Sequence, residues 1–293
     1  MASLNTSGRI AWRAARVRVK EAVPNRVYYL GTTALRTVQH LPGDWRQGRV
    51  SHDENPYPLP PPYLRYRVSG GYDVRDFHTS GREGRDAFQS ALTATCGRTL
   101  DSYQSILDFG VGCGRIARWL EPKARGTEFH GADIDRWAVR WCRRNLPFIT
   151  CVTNQERPPL PYDDNRFDLV YSHIVFTHLD SEYQDRWLRE LRRVLLPGGT
   201  ALLTVHGDGA FEELIRFSRK RGITESRHWE RTFERAGFFF NRDSQWAAVF
   251  PDFYQNAYQS QAHTRTAWGE TMTVVDYLPG GMRGTQDMVI LRN

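Results

Sequence analysis

Apolar runs alternate with stretches of helical spacing between about residue 100 and residue 206. Runs of strand length lie at 104–110, 128–133 and 148–153, from Phe167 onward, and up to Val205. Apolar residues at helical spacing lie at 114–121, 135–146 and 182–196. Such alternation predicts a parallel sheet that is covered by helices on both faces.

Additional segments precede this alternating region. After a basic arm, five prolines in residues 51–63 predict an extended strap, because proline lacks an amide donor and interrupts helices. Helical spacing then predicts a helix near 84–99. We therefore divide the chain into an N-terminal extension, residues 1–99, and a main domain, residues 100–293.

The segment after the fifth predicted strand is longer than one crossover connection between strands. Residues 207–270 are too long for a single connecting helix, and they contain helical spacing at 209–221 and 226–236 together with many aromatic residues. These aromatics either pack as a core or form a lid over the substrate site. The apolar segments 271–277 and 286–291, joined by a glycine-rich turn, predict a terminal hairpin.

A glycine-rich turn follows the first predicted strand. The sequence Asp108-Phe109-Gly110-Val111-Gly112-Cys113-Gly114 places a carboxylate before three alternating glycines, which allow unusual dihedrals and close approach of a ligand to the backbone. A following helix would present free N–H groups to an anionic group. The dinucleotide fingerprint GxGxxG has a different spacing, and a tight turn without any ligand is the other interpretation.

Polar residues also close the second and third predicted strands. Asp133 ends the second strand about twenty residues past the glycine turn, where a carboxylate accepts hydrogen bonds from ribose hydroxyls. Asn154 follows the third strand. Folds that bind NAD use the same carboxylate, so Asp133 indicates an adenosine ligand without choosing between the cofactors.

Two further sequence motifs lie downstream of the third predicted strand. The run LPYDDNRFDLVYSH at 160–173 and the turn Leu196-Pro197-Gly198-Gly199 follow the glycine turn and Asp133 in order. Over about residues 104–206 these four blocks resemble class I S-adenosylmethionine (SAM)-dependent methyltransferases. The resemblance implies an α/β, Rossmann-like, doubly wound sheet of seven strands in the order 3-2-1-4-5-7-6. It also implies that strand 7 is antiparallel and that SAM is the cofactor.

The same resemblance assigns residues to the site. It implies that Ile134 makes an apolar contact after the ribose carboxylate and that Asn154 meets the adenine amine. The implied cofactor-binding residues are Asp108, Phe109, Gly110, Gly112, Cys113, Gly114, Asp133, Ile134, Asn154, Ser172 and His173. The residues interpreted as substrate-binding are Arg67, Tyr254, Tyr258 and His263.

Histidines lie where a methyl acceptor would bind. Methyl transfer to a hydroxyl needs a nucleophile held in line and a group that accepts its proton, and histidine, with a pKa of about 6.5, suits that role. His178 and His206 follow the fourth and fifth strands and are the candidate catalytic bases. Hydrogen bonding to a loop backbone is the alternative role for each.

These residues predict O-methylation of a small molecule, a sugar or glycan, or a secondary metabolite. Three alternatives stay open: N-methylation of a small molecule, a non-catalytic SAM-binding scaffold, and an NAD-dependent oxidoreductase, which the glycine spacing and the terminal hairpin disfavour. The fourth strand lacks both the Pro-Pro turn of DNA amine methyltransferases and the paired glutamates of protein arginine methyltransferases.

Charge is concentrated at one end of the chain. Of the 293 residues, 1–50 hold nine basic and two acidic side chains, which accounts for the whole net charge of +7. The residues after position 50 are neutral overall, so they offer no excess of positive charge of the kind that binds nucleic acid. A stripe in the arm either contacts an anionic membrane weakly or packs as a solvated helix. The stripe consists of Arg9, Arg13, Arg16 and Lys20.

The cysteines and the hydropathy of the chain indicate the cellular compartment in which we expect the protein. Cys96, Cys113, Cys142 and Cys151 show no CxxC spacing, so we expect neither a metal site nor a disulfide framework. No apolar run approaches the roughly 20 residues that span a bilayer, and the N-terminus lacks the apolar segment of a signal peptide. We therefore expect a soluble, cytoplasmic protein that reaches a membrane only peripherally, through the arm.

Overall fold

The structure is a computed structural model that describes residues 38, 55–120, 126–242 and 253–293. The interpretations of the basic arm, of the first residues of the strap and of residues 243–252 in the insertion lie outside these ranges. Within them, no helix is long and apolar enough to cross a membrane.

The described residues form a seven-stranded sheet in the order β3-β2-β1-β4-β5-β9-β8. Its strands are β1 (Ser105–Phe109), β2 (Glu128–Asp133), β3 (Thr150–Thr153), β4 (Phe167–Ser172), β5 (Leu195–Val205), β8 (Thr273–Met282) and β9 (Gln286–Arg292). Strand β9 is antiparallel to both neighbours, and the other pairs are parallel. The predicted order is confirmed, with β8 and β9 as its sixth and seventh strands. The insertion adds a separate antiparallel pair, β6 (Phe238–Asn241) and β7 (Asn256–Gln259).

Helices cover both faces of the sheet. They are α1 (Pro62–Ser69), α2 (Val74–Cys96), α3 (Arg136–Asn145), α4 (Ser181–Val194), α5 (Asp208–Lys220), α6 (Ser226–Ala236) and α7 (Gln261–Gly269). Successive residues of β1 point to opposite faces: Ile106 joins the layer of Phe88, whereas Phe109 packs on Trp187 in the other layer. Burying each such side chain contributes about 1.5–3 kcal/mol, so both layers support the strands that end at the site.

Helix α2 begins about ten residues earlier than the sequence predicted. Asp73 caps it by accepting a hydrogen bond from the amide of Asp76, and Gly97 ends it in the left-handed conformation. Gly81 lies inside this helix. A Cβ at position 81 would stand 2.1 Å from the carbonyl oxygen of Arg115, so any larger residue would clash there. This glycine therefore permits close packing against the glycine-rich turn.

The predicted helix at 114–121 is wrong. After the glycine turn the chain forms hydrogen-bonded turns and a short 3₁₀ segment, Ala117–Trp119. Gly114, with φ of +73°, cannot belong to a right-handed helix, and Pro122 would interrupt one a few residues later. The segment between them is too short for a stable α-helix, so no helix N-terminus faces the site at this point.

Candidate active site

A cleft of about 590 Å³ lies at the carboxyl ends of the parallel strands. Strands β1 to β5 contribute their last residues or the loops that follow, α1 forms one wall, and residues 253–258 of the insertion form another. Open α/β sheets bind ligands at this edge, and a volume of this size suits a small molecule. The predicted site residues that line the cleft are Arg67, Asp108, Phe109, Gly110, Gly112, Asp133, Ile134, Asn154, His173, His178, His206, Tyr254 and Tyr258.

The glycine turn has the backbone that its sequence predicted. Gly110 has φ of +89° and Gly112 has φ of +53°, which side chains with a Cβ adopt rarely. A Cβ on Gly112 would also lie 2.4 Å from Cγ1 of Val68 in α1. The amide of Gly112 donates to Asp133 Oδ2 at 2.7 Å, so this N–H is used within the protein.

Asp133 is held by the backbone on both sides. Its Oδ2 accepts from Gly112 and its Oδ1 accepts from the amide of Asp135, each at 2.7 Å. Burial raises the pKa of Asp133 to about 6, although these two hydrogen bonds act in the opposite direction. Each carboxylate oxygen keeps a further lone pair with which it can accept a ribose hydroxyl.

Asn154 presents a buried acceptor to the same end of the cleft. Its Nδ2 donates to the carbonyl of Gln155 at 2.8 Å, whereas its Oδ1 is buried and has no hydrogen-bond partner within the described residues. An adenine amine is a donor that would satisfy this oxygen. Asn154 and Asp133 therefore fit an adenosine, and SAM carries one.

Polar side chains also lie where β1 and β4 end. Tyr171 donates a hydrogen bond of 2.7 Å to the buried Asp108, and burial raises the pKa of Asp108 to about 7. Arg115 follows the glycine turn, and its Nη2 contacts Nδ1 of His173 at 2.8 Å. The sequence reasoning did not select Arg115. The signal available was a charged side chain directly before the apolar pair Ile116-Ala117.

Two histidines and two tyrosines form the far end of the cleft. His178 and Tyr254 have ring centroids 4.7 Å apart, His206 and Tyr258 5.1 Å, and the two imidazoles meet edge to face at 6.2 Å. The backbone of the insertion makes these pairs, because Leu179 bridges to Tyr254 and His206 bridges to Tyr258.

Both imidazoles are neutral at physiological pH. Nδ1 of His178 lies 3.2 Å from the carbonyl oxygen of Gln255, and Nδ1 of His206 lies 3.2 Å from that of Ala257. A carbonyl only accepts, so Nδ1 carries the proton and Nε2 carries the lone pair in each ring. Burial lowers the pKa of His178 to about 3, with His206 adding to the effect, and burial lowers the pKa of His206 to about 4.

Four predicted site residues do not line the cleft. Ser172 Oγ donates to the carbonyl of Phe109 at 2.7 Å, and Cys113 is fully buried in the core. A Cβ on Gly114 would meet Leu146 rather than the cleft. His263 lies on α7, where its Nδ1 contacts the carbonyl of Ala236 at 3.1 Å.

Charge pairing further describes the cleft wall. Arg67 in α1 pairs with Asp135, whose carboxylate caps α3, at 2.7 Å.

In the described part of the chain, no cluster of three or more His, Cys, Asp or Glu side chains is arranged to hold a metal ion.

The chain is similar to known methyltransferases. A family model described as a methyltransferase domain matches residues 107–203. The malonyl-[acyl-carrier protein] O-methyltransferase of Halorhodospira halophila is 32% identical over 37% of this chain and 37% of its own length. The glycine/sarcosine/dimethylglycine N-methyltransferase of Actinopolyspora halophila is 31% identical over 47% of this chain and 26% of its own length. The chain thus spans well under two thirds of these two relatives.

Two further comparisons cover more of each protein. A protein of Encephalitozoon cuniculi that carries a methyltransferase name is 31% identical over 53% of this chain and 73% of that protein. The crystal structure of PH0226 from Pyrococcus horikoshii superposes with a TM-score of 0.50 and 15% identity. It covers 78% of this chain and 97% of that one, a likeness that concerns the fold.

Proposed function

Because the chain belongs to the class I SAM-dependent methyltransferases, we propose that it transfers a methyl group from SAM to a hydroxyl of a small molecule. SAM is the methyl donor of this family. The observation that carries the proposal is one continuous cleft with an adenosine-type end and an imidazole end. The glycine turn, Asp133 and Asn154 form the first end, and His178 and His206 the second.

The first end would hold the donor. Asp133 would accept hydrogen bonds from the ribose and Asn154 Oδ1 one from the adenine amine, and the exposed apolar side chain of Ile134 would cover the adenosine. When bound, SAM supplies a methyl group that its sulfonium makes electrophilic. The protein then has to position the nucleophile and exclude water, which α1 and the insertion do by walling the cleft on two sides.

The second end would hold the acceptor. Nε2 of His206 has a lone pair that can accept a hydrogen bond from an acceptor hydroxyl and so aim an oxygen lone pair at the methyl group. Although its pKa is lowered to about 4, such an imidazole still takes a proton from an oxygen that has just been methylated, because that oxygen is far more acidic. His206 is the more exposed of the two rings, and we place it as proton acceptor with His178 beside it.

One observation favours N-methylation as the second candidate. The lowered pKa values of His178 and His206 make both rings weak bases, and a neutral amine needs no base before it attacks a methyl group. The relatives include both O- and N-methyltransferases, so their names do not separate the two. The aromatic rings around both histidines would also stabilise a methylated ammonium product through cation–π contacts.

Titration calorimetry followed by an acceptor screen tests the proposal. We expect the protein to bind SAM and S-adenosylhomocysteine (SAH) at one site and NAD not at all. Asp133→Ala should weaken SAH binding by about 1.5–3 kcal/mol, the range for hydrogen bonds to a charged acceptor. Asp101→Ala, which removes an exposed carboxylate, is the matched control.

Methyl transfer to matched hydroxyl and amine compounds then separates the candidates. Turnover of hydroxyl compounds supports the proposal, and turnover of amines alone favours the second candidate. Absence of binding by SAM and SAH would overturn both.

A further inference from the structure

The exposed face of helix α3 consists of arginines and a tryptophan. The helix contains four arginines and no acidic residue, and its buried residues Ala138, Val139 and Cys142 face the core. At about 100° per residue, the exposed side chains fall within roughly 120° of one another, opposite that buried side. They are Arg136, Trp137, Arg140, Arg143 and Arg144. We call the four arginines the arginine ridge.

Within the described residues, no guanidinium of the arginine ridge forms an ion pair with an Asp or Glu side chain. Arg143 donates to a backbone carbonyl of β3 at 2.7 Å, and the guanidinium of Arg136 lies 5.0 Å from the ring centroid of Trp137. Asp135, the acid directly before the helix, caps it and pairs with Arg67. The ridge therefore presents its positive charge to the surroundings of the protein.

Helix α4 shows how exposed arginines are paired elsewhere in this fold. Arg186 pairs with Glu182 and Arg189 pairs with Asp185, each across one helical turn. In α3 the same spacing brings arginine next to arginine, and like charges one turn apart destabilise a helix. Arg136 also lies in the first turn, where the helix dipole disfavours a cation. An anionic surface outside the protein would relieve both effects.

Exposed apolar side chains lie at the N-terminal end of the arginine ridge. Ile134 is 50% exposed and Trp137 is 51% exposed, on either side of the cap residue Asp135. Tyr63 of α1 is exposed as well, and the ion pair between Arg67 and Asp135 joins α1 to this end of α3. Basic residues beside aliphatic and aromatic side chains are typical of proteins that bind at the interface of a bilayer.

We propose that the arginine ridge, with Trp137 and Ile134 at its end, docks the protein on an anionic lipid bilayer. The lipid headgroups neutralise the arginines, and the two apolar side chains enter the boundary between headgroups and acyl chains. Ile134 also lines the cleft, so docking places the mouth of the cleft at the membrane surface.

The size and charge of this face favour a bilayer over other occupants. The ten residues of α3 are about 15 Å long and a helix is about 10 Å wide, so the ridge covers roughly 150 Å². A stable protein partner buries about 800 Å² on each side, far more than the ridge provides. The basic arm, residues 1–50, carries charge of the same sign and is repelled. Nucleic acid is held largely through phosphates, which make no use of Ile134.

Co-flotation of the full chain with lipid vesicles tests the proposal. The vesicles contain phosphatidylcholine with about 30% phosphatidylserine, or phosphatidylcholine alone. We expect the wild type to bind the anionic vesicles more tightly, and to lose this preference as salt rises from about 0.05 M to about 0.5 M. The variant Arg136→Gln/Arg140→Gln/Arg144→Gln should bind them roughly 100-fold more weakly, because each arginine near an anionic surface contributes about fivefold.

A variant of helix α4 is the matched control. Arg186→Gln/Arg189→Gln/Arg192→Gln removes the same charge from exposed positions in the other layer of helices. It should bind anionic vesicles nearly as the wild type does. An equal loss in the α3 and α4 variants would show that net charge alone governs binding and would overturn the proposal, as would wild-type binding by the α3 variant.

Two aromatic substitutions test the apolar part of the face. We expect Trp137→Ala to weaken binding to anionic vesicles by about fivefold, because half of this side chain is available for burial in the bilayer. Phe217→Ala removes a similarly exposed ring of α5 and should bind normally. Unchanged binding by Trp137→Ala would contradict insertion at this end of the ridge.

Melting temperatures keep docking separate from folding and from the proposed function. The triple variant of α3 relieves repulsion between arginines, so it should melt no lower than the wild type. If it does not fold, Arg140→Gln alone removes a side chain without a bond to the described residues and should lose about fivefold in vesicle binding. Vesicle binding requires no SAM, so a protein that fails to bind SAH contradicts the proposed function and leaves this test in place.

Other occupants of the face give distinct outcomes. The wild type and the α3 variant are also titrated with a short DNA duplex and with polyglutamate. If the wild type binds one of these through the arginine ridge and does not bind anionic vesicles, the proposal is overturned in favour of a nucleic acid or an acidic protein.

Discussion

The two ends of the cleft are built from different parts of the chain. At the adenosine-type end, the glycine turn, Asp133 and Asn154 lie within about fifty residues of one another, and backbone amides hold the carboxylate in place. At the imidazole end, the ring of His178 contacts the backbone of Gln255, 77 positions away along the chain, and the ring of His206 contacts that of Ala257, 51 positions away. Local geometry thus shapes one end, and long-range packing shapes the other.

The two ends also differ in charge. Asp108, Asp133 and Arg115 bring formal charges to the strands β1 and β2, whereas the imidazole end consists of rings that burial keeps neutral. Burial raises the pKa of Tyr258 to about 12 and that of Tyr254 further. A site of this kind would recognise one constant charged donor at the first end and select an acceptor by shape and hydrogen bonding at the second.

Removal of an imidazole should have the largest effect, and it should be confined to the second end. We expect His206→Ala to lower kcat by roughly 10²- to 10⁴-fold, the range for loss of a proton acceptor, with His178→Ala in the same direction. Affinity for SAH, measured by calorimetry, should change little in either variant. His228→Ala, which alters an exposed histidine of α6, is the control, and full activity of both cleft variants would contradict the assignment.

A side chain introduced into the glycine turn should instead weaken SAH binding at the adenosine-type end of the cleft. Gly110→Ala places a Cβ 2.2 Å from Cγ2 of Val175 at φ of +89°, so the turn must shift. We expect SAH affinity to fall by about 10- to 100-fold, because strain in that region costs about 1–3 kcal/mol. Gly209→Ala meets no atom within 4 Å and should bind normally. Equal affinity in both variants would show that the turn is not part of the binding site.

The pH dependence of kcat distinguishes a buried imidazole from an ordinary one. Since the pKa of His206 is lowered to about 4 and that of His178 to about 3, both rings stay unprotonated as the pH falls towards 5. At saturating donor and acceptor, we expect kcat to show no imidazole titration near pH 6.5. If kcat of the wild type instead falls with a pKa near 6.5, and this fall is absent in His206→Ala, the ring of His206 is solvated during turnover.

The stability of the ligand-free protein should also depend on pH. The folded-state pKa of Asp108, about 7, exceeds its ordinary value of 3.8, so the folded state binds this proton more tightly. The resulting stability is complete below pH 3.8 and is lost as the pH rises through 7. We expect the free energy of unfolding in urea to fall by about 2–3 kcal/mol between pH 5 and pH 8 from this group.

Asp108→Asn should remove that share of the pH dependence, because asparagine does not titrate. Asp101→Asn changes an exposed carboxylate and should keep the wild-type profile. An unchanged slope in Asp108→Asn would place the titrating group elsewhere.

The sequence alone determined the sheet and the adenosine-type end. The apolar runs predicted a parallel sheet, the resemblance of four blocks implied the order of its strands, and the terminal hairpin required the antiparallel strand that β9 forms. The glycine turn was predictable because residues with a Cβ rarely adopt φ of +89° and +53°. Asp133 was predictable because the second strand brings it beside that turn. All of these features depend on spacing within a short stretch of chain.

Tertiary packing decided the rest. The helix expected at 114–121 gives way to turns, and α2 extends further because Gly81 allows it to pack on that segment. Whether Arg115 is solvated or buried against His173, and whether an imidazole titrates near pH 6.5 or near 4, depends on which groups surround it and how much water reaches it. Those neighbours come from distant parts of the chain, such as Ala257 beside His206. Periodicity along the sequence contains no information about desolvation, so only the folded arrangement fixes the chemistry of these side chains.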